Sequence, residues 1–197
     1  MKSKGLTKYE KFAINKRLDN LFNIATAKDI QDGKEWYIIA NNEAHKLAKE
    51  FNICPLKCAG VISALSPNNK WNQNLKDAYK VCKAFTEGKG ANDVKVCTFN
   101  TNKFRAFAIL NNLVEITNDS RKTYAFVRNV GSLDTDRITI DIWHSRACFG
   151  KDKGKVSPFI YDQIEALTLR KAKKLGLKGY EYQAIIWVVI RNNYNNN

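Results

Sequence analysis

Residues 56–65, Leu-Lys-Cys-Ala-Gly-Val-Ile-Ser-Ala-Leu, are apolar nearly all the way round a helix. Such a helix has no face for water and must be covered on most sides. This run therefore demands a shell of amphipathic helices around it. It stops at Ser66-Pro67, because the residue before a proline resists the α region. The shell can be read in the same terms. Residues 7–24 place Tyr9, Phe12, Ala13, Leu18, Leu21 and Phe22 near helical spacing. Residues 35–51 do the same with Trp36, Ile39, Ala40, Ala44, Leu47, Ala48 and Phe51, and residues 71–85 with Leu75, Ala78, Tyr79 and Cys82. Gly88 and Gly90 interrupt the pattern. Thr98 is the expected N-cap of a helix over 101–114, with Phe104, Phe107, Ala108 and Leu110 inward. A loop at 117–120 leads to a helix over 121–130, and 134–140 reads as extended. Asp141 then opens a short helix, and Gly150–Gly154 forms a basic loop. Ser157-Pro158 starts a further helix carrying Tyr161, Ile164 and Leu167. The last helix spans 180–192. Trp36 and Trp187 read as core.

The chain has 197 residues, which suits one domain or two small lobes sharing a core. Hydrophobic residues make up 44%, which excludes wholesale disorder. Lys and Arg number 33 against 19 Asp and Glu, a net charge of +14. A polyanion is the partner this charge implies, with nucleic acid first, because each neutralised phosphate releases counterions. An anionic membrane surface comes second, and solubility alone third. No apolar run approaches the roughly 18 residues of a membrane span. Residues 1–20 lack the apolar core of a signal peptide, so the expected location is cytoplasmic. The cysteines are Cys54, Cys58, Cys82, Cys97 and Cys148. Their odd number implies free thiols, and no second pair has ligand spacing, so no metal is expected. The abundance of asparagine fits an AT-rich genome, bacterial or phage, and residues 193–197 are expected to be a disordered tail.

The stretch with chemical content is 121–146. Arg121-Lys122-Thr123 opens a helix, whose N-terminus favours an anion. Nineteen residues after Lys122 comes Asp141, preceded by the β-branched run Ile138-Thr139-Ile140. A helix followed by an extended return would bring lysine and aspartate together. This pattern resembles the helix-hairpin-helix DNA glycosylases, a superfamily that includes endonuclease III. Their hairpin ends in Gly-Arg-Lys-Thr-Ala and is followed by Val-Asp-Thr-His and then an arginine. Here Arg121-Lys122-Thr123 corresponds to the hairpin end, Ile140-Asp141 to the second motif, and Arg146 to the arginine. Residues 60–69, Gly-Val-Ile-Ser-Ala-Leu-Ser-Pro-Asn-Asn, resemble the family's buried helix and the loop that fills the space of a flipped base. Residues 101–113 resemble the helix leading into the hairpin.

The resemblance implies an all-α, two-lobed helical DNA glycosylase-like fold with a central cleft. One middle lobe would cover 25–130, and a second would combine 1–24 with 131–192. It implies Lys122 as the amine nucleophile and Asp141 as the catalytic carboxylate. Asn68, Asn69, Ser120, Arg121, Thr123 and Arg146 would contact double-stranded DNA. The four tryptophans, Trp36, Trp71, Trp143 and Trp187, are the candidates for a base-stacking wall; Trp71 and Trp143, together with Gln183, are the better base-pocket candidates. The implied reaction flips a base from the duplex and cleaves its glycosidic bond without a cofactor, in a monomer. A buried Lys122 would attack C1′ and form a Schiff base, from which strand cleavage follows. A solvent-facing Lys122 would leave Asp141 to activate water, with no strand cleavage.

Two departures stand out. Asn118-Asp119-Ser120 occupies the place of the family's Gly-x-Gly, adding a negative charge where a phosphate should come. The four-cysteine iron–sulfur motif is absent, so no cluster is expected. Two other functions fit the same residues: a phage enzyme transferring an amine or amino acid onto modified thymine in DNA, and a non-enzymatic DNA-binding module. Aspartate is also a favoured N-cap in its own right.

Overall fold

A computed structural model describes residues 5–150, 154 and 156–195. Among them are nine α-helices and no strand, so the protein is all-α. Two compact units divide the chain. The first takes residues up to Ile38 and from Asp134 onward, and the second Ile39–Leu133.

The apolar run forms the centre of the second unit. Helix α3 (Pro55–Leu65) begins with Pro55 in its first turn and buries Cys58 through Ile62, Ala64 and Leu65. Helices α4 (Trp71–Thr86), α5 (Asn100–Leu110) and α6 (Arg121–Ser132) pack around it. The approach of α6 is close because Gly131 faces α3. A Cβ on Gly131 would lie 2.8 Å from Leu56 Cδ2 and 3.2 Å from Ala59 Cβ. The later part of α2 (Ala27–Phe51) belongs here too, where Asn41 Nδ2 donates to Val130 O at 2.7 Å.

The first unit holds α1 (Lys8–Asn23), the start of α2, α7 (Ile142–Phe149), α8 (Pro158–Lys174) and α9 (Gly179–Asn195). Ile14, Leu18, Ile138, Ile140, Ile164, Tyr182 and Ile186 form its core. Thr7 and Glu10 make a capping box on α1, and Ser157 caps α8 ahead of Pro158. The segment 137–140 is non-helical and has no strand beside it. Its polar groups are met by α8 side chains instead. Ile138 N–H donates to Glu165 Oε1 (3.1 Å), and Ile140 N–H donates to the Tyr161 hydroxyl (3.1 Å), which itself donates to Ile138 O (2.8 Å). Arg137 pairs with the other oxygen of Glu165 at 3.1 Å. Buried backbone groups must be paired, and here side chains supply what a sheet would.

Several expectations change. The first unit reaches Ile38 rather than residue 24, because Gly33 and Tyr37 of α2 pack on α9. Helix α9 continues through 193–195, so these residues are not a disordered tail; 196–197 lie outside the described residues. Thr98 is not the cap of α5. Phe99 holds that position, while Thr98 donates to Pro67 O (2.9 Å) and accepts from Asn102 Nδ2 (2.8 Å). Phe104 points outward at 49% exposure, because α5 buries Lys103, Ala106, Phe107, Ile109 and Leu110. The Lys103 ammonium reaches Val94 O at 2.8 Å. Tyr9 and Phe12 are exposed, since α1 buries only the stripe of Ile14 and Leu18. Of the basic loop, 151–153 lie outside the described residues. All five cysteines are free thiols. No helix among the described residues is long and apolar enough to cross a membrane.

Candidate functional site

A glycine in a helix interior builds the first part of the site. Gly33 costs α2 about 1 kcal/mol of helix propensity relative to alanine. In return it lets α9 approach closely: a Cβ there would lie 2.6 Å from Ile185 N and Cα. Trp36, one turn after Gly33, thereby meets Trp187, two residues after Ile185. Their ring centroids are 5.9 Å apart. Both indoles are half-buried, which corrects their assignment to the core. Trp187 Nε1–H donates to Asp141 Oδ2 at 3.0 Å. The other oxygen, Oδ1, accepts the N–H of His144 at 2.9 Å and caps α7. Asp141 is thus held from two directions, and two of the roughly four acceptor positions on a carboxylate are used.

Cations alternate with the indoles beside Asp141. The Arg191 guanidinium carbon lies 4.4 Å from the Trp187 ring centroid and 6.0 Å from that of Trp143. Arg146 lies 5.0 Å from the Trp143 centroid. Contacts of this kind are worth about 0.5–1 kcal/mol each at exposed sites. All of these side chains are half-exposed.

Behind this surface lies a buried polar layer. The Tyr37 hydroxyl donates to Gln183 Oε1 at 3.0 Å. Burial pushes the Tyr37 pKa upward, opposed by a Thr139 hydrogen bond and reinforced by the Asp141 charge, so the phenol stays protonated. Gln183 is buried, with its amide oxygen committed to Tyr37. His144 is fully buried and shares a hydrogen bond with Thr168 Oγ1 at 3.3 Å. Burial pushes its pKa down to about 4, which makes it a neutral core residue.

The second unit carries the other candidates. Asn118–Ser120 form a 3₁₀ turn that runs directly into α6. The Ser120 side chain makes no cap bond to α6, whose first turn holds Arg121, Lys122 and Thr123. Lys122 is exposed. Asn68 is exposed with φ +55°, a left-handed conformation that asparagine tolerates. Its neighbour Asn69 points inward, donating to Asp77 Oδ2 (3.0 Å) and Leu65 O (3.3 Å). Asp77 is fully buried and also accepts from Gln73 Nε2 (2.9 Å) and Cys97 N (2.8 Å). Asn69 therefore fastens the loop that presents Asn68. Trp71 is half-buried at the start of α4.

The candidates thus fall into two groups. Asp141, Trp143, Arg146 and Gln183 lie in the first unit; Asn68, Asn69, Trp71, Ser120, Arg121, Lys122 and Thr123 lie in the second. Among the described residues no group of three or more His, Cys, Asp or Glu side chains could hold a metal ion.

A family model described as a family of unknown function, DUF7178, matches residues 2–194. The chain belongs to this family. No curated protein and no solved structure matches it. The helical pattern found Trp36 and read it and Trp187 as core, and it did not single out Arg191. The one signal that could have brought them together is Gly33 on the apolar stripe of α2, a mark of close helix approach.

Proposed function

We propose that the protein is a DNA-base N-glycosylase that releases a modified or damaged base by hydrolysis. The observation that carries this reading is Asp141, a carboxylate fixed by the His144 N–H and the Trp187 indole N–H beside half-exposed indoles and arginines. As the glycosidic bond breaks, the base leaves with the bonding electrons and positive charge builds on the sugar. A carboxylate already in position stabilises that charge without reorganising. It also orients the water that adds at C1′ and takes its proton, while the departing base takes up a proton from solvent, giving a C1′ hydroxyl and the free base. The exposure of Lys122 favours water over the amine as nucleophile. Lys122, Arg121, Ser120 and Thr123 then serve as phosphate contacts at the start of α6. The protein works as a cytoplasmic monomer on double-stranded DNA, in a two-lobed glycosylase-like architecture.

The test is incubation with duplexes carrying single modified bases, followed by alkali. Alkali-labile abasic sites that disappear in Asp141→Asn, with no borohydride crosslink at Lys122, are the expected result. A crosslink would mark the Schiff-base route. A new base mass in intact DNA would mark base transfer. One observation favours a second reading, a DNA-binding module without chemistry: capping α7 is by itself a sufficient role for Asp141. Tight binding with no change in any base supports that reading.

A further inference from the structure

The alternation of cation and indole beside Asp141 extends beyond one pocket. It runs from Arg146 to Trp143, Arg191, Trp187 and Trp36 across three helices of the first unit. Every member is half-exposed. Such a surface sets partly exposed indoles beside planar cations that now lie against the rings. A duplex hides the faces of its bases and presents only their edges and its phosphates. An unpaired strand exposes both base faces and phosphates. Stacking on indoles tolerates any base, since every base has a π face, and arginines between the rings can meet the intervening phosphates.

We infer that this ladder is a binding surface for unpaired DNA, so that the strand presented to Asp141 is single-stranded or locally melted over at least two nucleotides. The inference rests on the proposal that the protein acts on DNA and deepens it: the strand taken up at Asp141 is unpaired, either single-stranded or melted locally out of the duplex. Trp187 joins the two roles. Its ring belongs to the ladder while its N–H holds Asp141, so a base stacked there lies beside the carboxylate. Arg191, now lying against both Trp143 and Trp187, is the group that would turn from ring to phosphate when a base enters.

The test is fluorescence anisotropy of the full chain with a labelled dT 12-mer, a blunt 12-base-pair duplex and an rU 12-mer. The expected result is at least tenfold tighter binding of the dT strand than of the duplex. Trp143→Ala should lose at least fivefold on the dT strand and less than twofold on the duplex, and Trp143→Phe should restore most of the loss. Arg191→Gln should flatten the salt dependence on the dT strand by about 0.7 in the log–log slope. A duplex bound as tightly as the dT strand overturns the inference, as does a Trp143→Ala protein with unchanged dT binding. Equal affinity for the rU strand overturns its restriction to DNA. Chemistry is read separately. Loss of dT binding in Trp143→Ala, with no base released by the wild type, leaves the ladder standing and removes the glycosylase. Base release from an intact duplex at the wild-type rate by Trp143→Ala does the reverse.

Discussion

Two turns carry the residues singled out by the spacing of Lys122 and Asp141, and they are held in opposite ways. The turn at Asp141 is fastened by side chains on every side. Glu165 and Tyr161 hold the approach to it, and Trp187 and the His144 N–H hold the carboxylate itself. The turn at 117–120 is fastened by little. Ser120 N–H reaches Thr117 O at 3.1 Å, the Thr117 hydroxyl meets the Asp119 carboxylate at 3.2 Å, and the Ser120 side chain makes no cap bond to the helix that follows. Under the proposed function the difference corresponds to two physical tasks. Stabilising developing charge needs groups already in place. Gripping a phosphate needs amides left open at a helix start, which the ligand itself then satisfies.

The comparison can be broken by loosening the tight side. Gly33→Leu puts a branched side chain where even a Cβ lies 2.6 Å from the Ile185 backbone. A loss of about 3 kcal/mol or more in urea unfolding is expected, since overpacking a close crossing displaces backbone. The second lever is pH. The His144 pKa is depressed to about 4 from 6.5 by burial, so the unfolded chain binds the extra proton first as pH falls. Its contribution is complete above pH 6.5 and is lost on acidification to about 4, at most about 3 kcal/mol. Stability measured across that window should fall steeply in the wild type and less in His144→Gln. Glu165→Ala comes next: it leaves the buried Ile138 N–H without its acceptor and should cost about 2 kcal/mol, with faster amide exchange at Ile138. On the loose side, Ser120→Ala should change stability by less than about 0.5 kcal/mol, because Ser120 makes no cap bond. A loss above 1 kcal/mol there would end the contrast.

Helix positions were legible because the apolar run of α3 and the amphipathic stripes around it obey one period. The caps at Asp141 and Ser157 were legible because both are local, each side chain bonding an amide three residues on. The wall around Asp141 was not. Trp36 and Trp187 lie far apart in the chain, and a large apolar residue on a helix stripe looks the same whether its outer edge is buried or half-open. Only the close crossing at Gly33 and Ile185 decides it. The resemblance gave Asn68 the place of the void-filling residue, and Asn68 does face water, but the inward turn of Asn69 onto Asp77 left no local signal. The buried Lys103 defeats any reading by polarity, since its partner is a single carbonyl in a loop.

The Tyr161 hydroxyl donates to Ile138 O and accepts from Ile140 N–H, so one phenol spans the stretch of chain from Ile138 to Ile140, which leads directly into Asp141. It works as a ruler. One residue added or removed between Ile138 and Asp141 would exchange inward for outward side chains and carry the carboxylate off both its bonds. Length variation among family members should therefore gather in the exposed loop at 111–115 and be absent from 138–141.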